Sequence, residues 1–166
     1  MVQRSTRSEP HRSAWLLLGL VCAIGCGGAT KSTPATPDLA RFEAEAYPVL
    51  LRDCAFPACH ASRERFFQVF GPGHVRLDEK TDVLTDPATA DEISYSYDRA
   101  RSMQFGLAHA TDSLLLRKPL EPSAGGSGHQ GKDNLGRNVY LSTSDPGYQV
   151  LLRWVTGAPA EQATAP

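Results

Sequence analysis

Three residues in one short stretch have the types and spacing to do chemistry together: Cys54, Cys59 and His60 in "CAFPACH". A disulfide needs only the two cysteines. It would close a small loop that Phe56-Pro57 can turn, and it leaves His60 without a role. Attachment of a c-type haem uses all three residues. Two thiols add to the two vinyl groups of one porphyrin, and the histidine that follows the second cysteine is carried under the iron. The spacing here is C-x4-C-H, longer than the usual C-x2-C-H. A zinc site built from Cys54, Cys59, His60 and a later histidine has suitable ligand types. However, the adjacent Cys59 and His60 side chains start in divergent directions and would meet one small ion only with strain.

Which fate applies depends on the compartment, and the N-terminus bears on that. "MVQRSTRSEPHRSAWLLLGLVCAIGC" has a basic region (Arg4, Arg7, Arg12) followed by an apolar run, Trp15 to Gly25, too short to span a bilayer. Residues 1–25 are expected to be a cleaved export signal. "AIGC" resembles the lipobox of bacterial lipoproteins, which makes Cys26 the lipidated mature N-terminus. Cys22, preceded by the bulkier Leu20 and Val21, reads as an ordinary residue of the signal. Gly27 in place of an aspartate favours, by resemblance to known sorting rules, the outer membrane facing the periplasm. Acyl chains on Cys26 would hold the protein to that membrane without a spanning helix. In an exported, oxidising setting free thiols seldom persist, so Cys54 and Cys59 need a shared fate.

Charge narrows the partners. The chain has 17 basic and 18 acidic residues, and losing Arg4, Arg7, Arg12 and Glu9 with the signal leaves a net charge of −3. Nucleic acid is not an expected partner, because phosphate binding needs a basic balance that is missing here.

The elements that must position "CAFPACH" begin after a Gly, Ser, Thr and Pro tether at 26–38. One domain of roughly 120 residues is expected over 39–158, with a frayed tail at 159–166. Asp38 caps a helix running toward Asp53, with Leu39, Phe42 and Ala46 at helical spacing. Pro48 should kink that helix, or divide it near Ala46. "ASRERFFQVF" reads as a short helix exposing Arg63 and Arg65 and stopped by "GPG" at Gly71 to Gly73. "DSLLLRK" reads as another, capped by Asp112 and ended by Pro119. "EISYSYDRARSMQ" has helical length without a clear period, and "NVYL" suits a short strand. In "SDPGYQVLLRWVTG", Asp145 as cap, Pro146 at the first position and Gly157 past the end define a helix. Tyr148, Leu151, Leu152, Trp154 and Val155 should face the core. The fold class expected is mainly α, with a long glycine-rich loop from Glu121 to Gly136. A loop of that length is usually functional or disordered. Phe66, Phe67 and Phe70 read as core, and His74 and His109 as surface.

Four blocks together resemble the planctomycete-type cytochrome c-like domain: "CAFPACH", "SLLLRKPL" at Ser113 to Leu120, "GGSGHQG" at Gly125 to Gly131, and "DPGYQVLLRWVTGA". The resemblance covers about Tyr47 to Ala158. It departs from the family's pattern at Ala61, where glycine usually follows the Cys-His pair, and after His129, where "HQGKD" has only Gly131. It implies a small cytochrome c-like helical domain carrying one covalently attached haem c. In that reading Cys54 and Cys59 form the thioethers and His60 is the proximal iron ligand. His129 is the expected distal ligand and Met103 the alternative. Arg63 and Arg65 are candidate partners of the haem propionates, or else solvated charges. An iron closed on both faces carries electrons to and from redox partner proteins and is not an enzyme's open site. The alternative is a structural or binding lipoprotein domain stapled by a Cys54–Cys59 disulfide.

Overall fold

Helix formation starts where the tether was expected to end. Asp38 Oδ1 accepts from Arg41 N at 2.7 Å, capping α1 (Leu39–Arg41). The computed structural model describes residues 36–104, 107–129, 132 and 136–159. The signal at 1–25, Cys26, the tether before residue 36, Gly131 and the tail from residue 160 lie outside the described residues. Pro37 and Asp38, read as tether, are anchored: the Pro37 carbonyl accepts from Tyr97 Oη at 2.6 Å, and the Asp38 carbonyl from Trp154 Nε1 at 3.0 Å.

The proline problem at Pro48 is solved by widening the helix. α1 runs through a π-helical turn, Phe42–Ala46, into α2 (Tyr47–Cys54), with Pro48 in the first turn of α2. Tyr47 N bonds back to Phe42 O, five residues earlier, so the register loosens just before the residue that cannot donate. The division near Ala46 falls where it was expected.

α3 (Ala90–Ser102) is set by a capping box, Thr89 with Glu92. A 3₁₀ turn, Ala110–Asp112, leads to α4 (Leu114–Arg117). The cap of α4 is Ser113, whose Oγ accepts from Leu115 N at 3.2 Å, and not Asp112, which belongs to the preceding turn. Another 3₁₀ turn spans Pro122–Ala124, and α5 (Pro146–Thr156) carries the predicted signals: Asp145 caps Gly147 N at 2.9 Å and Gly157 ends it at φ 70°. Among the described residues the fold is mainly α. "NVYL" forms no strand there, only an isolated parallel bridge between Leu120 and Tyr140.

Two further expectations are corrected. Residues 61–70 are a chain of turns and not a helix, because Gln68 Nε2 takes the Ser62 and Arg63 carbonyls at 3.2 and 2.7 Å. Phe66 is 67% exposed and so is not core; Phe70 is buried and Phe67 half-buried.

The core lies between α2, α5 and the 3₁₀–α4 segment. Phe42 stacks on Trp154 at 5.1 Å and on Tyr97 at 5.5 Å, and Leu50, Leu116 and Leu151 are fully buried. Each such aliphatic side chain contributes about 1.5–3 kcal/mol of burial free energy. On α5, Tyr148, Leu151, Trp154 and Val155 are buried, whereas Leu152 is only partly so. No helix among the described residues is long and apolar enough to cross a membrane.

Candidate functional site: a cavity lined by cysteine and histidine

The last residue of α2 is Cys54, and the next six residues fold back on it. Cys59 N donates to Phe56 O at 2.8 Å, His60 N to Cys54 O at 3.1 Å, and Ala61 N to Phe56 O at 3.1 Å. This closed turn gathers Cys54, Cys59 and His60 on one wall of a cavity of about 930 Å³. That is the upper part of the range for small-molecule and cofactor sites. Both cysteines are free thiols; Cys54 is buried and Cys59 partly so.

The turns at 61–70 serve His60. Val69 N donates to the His60 carbonyl at 2.9 Å, and the His60 ring nitrogen Nδ1 lies 2.9 Å from Phe67 O. A carbonyl can only accept, so Nδ1 carries the proton and Nε2 keeps the lone pair. A carbonyl on the far nitrogen is the usual partner of a metal-binding histidine. Burial holds the His60 pKa below its ordinary value, and nearby His129 and Arg65 act in the same direction against the Phe67 carbonyl. His60 is therefore neutral near pH 7, the form in which imidazole binds a metal.

The opposite wall comes from the glycine-rich loop and α4. Ser127 N donates to Arg117 O at 2.9 Å, Gly126 N to Glu121 O at 3.0 Å, and Lys118 Nζ to Gly128 O at 3.3 Å. A side chain on Gly126 would put its Cβ 1.8 Å from Leu120 O, so only glycine lets the loop lie this close. Stitched down in this way, the loop presents His129, whose ring stands 5.9 Å from that of His60 at an interplanar angle of 27°. An ion bonded to one nitrogen of each ring at about 2 Å would hold two imidazole centroids roughly 6 Å apart.

The structure thus brings Cys54, Cys59, His60, His129 and Met103 to one cavity. Residues of three of the four sequence blocks line it, while the fourth, α5, packs in the core. His74 and His109 do not line it. Arg65 lines the cavity but Arg63 does not. Arg63 donates to Arg76 O and Leu77 O at 3.1 and 3.0 Å and lies over the Phe70 ring. Among the described residues no group of three or more His, Cys, Asp or Glu side chains is placed to hold a metal ion on its own.

Several lining residues went unmarked in the sequence. Lys118 sits within "SLLLRKPL", but nothing in its spacing says that it reaches a glycine loop. Asn138 is 4% exposed and gives Nδ2 to Glu121 Oε2 at 2.6 Å, which orients the amide. Its Oδ1 is buried without a hydrogen bond and so offers an acceptor to a donor or ordered water accompanying an occupant. No protein-family model, curated protein or solved structure matches this chain.

Proposed function

We propose that the cavity holds one covalently attached haem c and that the protein is an exported, lipid-anchored electron carrier. The observation that carries this reading is the meeting of Cys54, Cys59, His60 and His129 on one cavity, with the two imidazoles facing across 5.9 Å. The donor set fits the group. Cys54 and Cys59 would hold it through thioethers, His60 would be its proximal ligand, and His129 would close the far side. Phe56, Phe66, Phe67, Leu114, Leu115 and Val139 supply the apolar walls that a porphyrin needs. Arg65, Lys118, Lys132 and Arg137 line the same cavity and suit its carboxylates, a role that Arg63 is no longer placed to share.

When bound, the haem supplies reversible one-electron oxidation and reduction. This chain's own residues hold the site in readiness for it. The Phe67 carbonyl keeps the His60 proton on Nδ1, and the bonds from Ser127 and Lys118 keep the His129 loop against α4. Histidine on both faces favours a lower reduction potential than histidine with methionine.

The test is a pyridine haemochrome spectrum of protein produced alongside haem-attachment machinery. A c-type alpha band is expected; its absence, together with an intact mass showing an internal disulfide, would sink the reading. In the haem-bearing protein, His129→Ala should turn a low-spin spectrum high-spin while Met103→Ala leaves it low-spin. The reverse pattern would make Met103 the distal ligand.

A further inference from the structure

We propose that the mouth of this cavity is a docking face for an acidic redox partner protein. The redox nature of the partner rests on the haem reading; the charge and shape of the face do not.

Among the described residues, seven large hydrophobic side chains are exposed, and three of them, Phe56 (49%), Phe66 (67%) and Leu114 (45%), line this one cavity. Five cations, Arg52, Arg65, Lys118, Lys132 and Arg137, share the lining with a single carboxylate, Asp53. Asp53 already accepts from Arg52 at 2.6 and 2.8 Å and from Tyr140 Oη at 2.9 Å. Four cations therefore surround an exposed apolar group on a chain whose net charge is −1. An occupant with two carboxylates still leaves cations in excess. Arg99 adds another over the outer face of Phe66, 5.4 Å from the ring centre.

An apolar centre inside a charged rim is the anatomy of a protein interface, and a positive rim selects a negative partner. The concentration of apolar exposure at one opening also separates this patch from the scattered surface residues expected on any protein. An anionic bilayer would meet the same cations. Surface-lying membrane segments, however, present a long amphipathic helix, and the only helix here at the mouth's outer edge is the four-residue α4.

The net charge and the local charge predict opposite signs, and this makes the proposal testable. In haem-bearing protein, one electron passes from ferrous iron to ferricyanide, leaving ferric iron and ferrocyanide. If the mouth attracts anions, the rate should fall several-fold as ionic strength rises from about 0.01 to 0.2 M. A rate that rises with salt, as the net negative charge demands, overturns the proposal. The double variant Arg65→Glu, Lys132→Glu should reverse the trend, and Glu79→Gln should not. A second measurement does not depend on haem. Polyglutamate added to isotope-labelled protein should shift the amide resonances of Phe56, Arg65, Phe66 and Leu114; no shifts, or shifts elsewhere, overturn the face. Binding to anionic lipid vesicles without a response to polyglutamate assigns the patch to a membrane and also overturns it. Shifts at these residues in a protein that never acquires haem keep the docking face and sink the haem reading alone.

Discussion

At the residue scale, the two cysteines of "CAFPACH" differ although both are free thiols. Cys54 is 7% exposed, and burial, helped by the charges of Asp53 and Cys59, pushes its thiol pKa up to about 12. Thiolate is the reactive form, so Cys54 is inert near pH 7 unless the site opens. Reduced, haem-free protein treated with iodoacetamide should be alkylated at Cys59 well before Cys54, as read by peptide mass spectrometry. Equal rates would show that the Cys54 pocket opens freely. The same burial acts on His60, where it keeps the imidazole neutral, and there the Phe67 carbonyl selects which nitrogen remains a ligand.

At the element scale, the placement of His129 depends on how closely a loop can approach α4. The closest point is Gly126 against the Leu120 carbonyl. Gly126→Ala forces that backbone apart and should cost about 1–3 kcal/mol in urea unfolding. In haem-bearing protein it should also weaken distal ligation, seen as a partial high-spin signal. By contrast Gly128, at φ 77° with open space around it, would be strained by a side chain through its backbone conformation and not through a clash. The turns at 61–70 follow a similar logic. A helix there would consume the carbonyl of Phe67 and the side chain of Gln68, whose Oε1 also accepts from Tyr95 on α3 at 2.5 Å.

For the whole molecule, one ion pair ties the loop before α3 to the rest. Arg76 and Glu92 are 2% and 1% exposed at the side chain, and Arg76 uses all five of its donors. Nε and Nη2 reach Glu92 at 2.8 and 2.9 Å, Nη1 reaches the Asp82 and Asp86 carbonyls, and Nη2 also reaches the Pro87 carbonyl. Arg76→Met strands a buried carboxylate and should cost about 3–5 kcal/mol, measured by urea unfolding. Replacing both partners with apolar residues should not restore stability, since three carbonyls and the amides of Leu77 and Thr89 also lose their partners. Burial alone would raise the Glu92 pKa, but hydrogen bonds from Arg76, Thr89 and Leu77 bring it below its ordinary value of 4.5. A carboxylate depressed in the folded state contributes stability in full above 4.5, and that contribution is lost as pH falls through the folded value. Stability should therefore drop in acid, and Glu92→Gln should flatten that part of the profile while lowering stability at pH 7.

The sequence by itself determined the elements whose signals are local. Asp38, Asp145, Pro146 and Gly157 mark helix ends through backbone chemistry within one turn, and the Thr89 and Glu92 capping box was equally legible, though it went unread. It also singled out Cys54, Cys59, His60, His129 and Met103, because few residue types can bind a metal or a porphyrin. Only the tertiary structure decided what depends on distant partners: that these residues share a cavity, that Arg65 lines it while Arg63 is drawn to the Arg76 and Leu77 carbonyls, and that Phe66 is exposed beside it. Contacts such as Lys118 with Gly128 or Asn138 with Glu121 join segments far apart along the chain. No periodicity records them, since they arise from how the loops cross once the core of α2, α4 and α5 has closed.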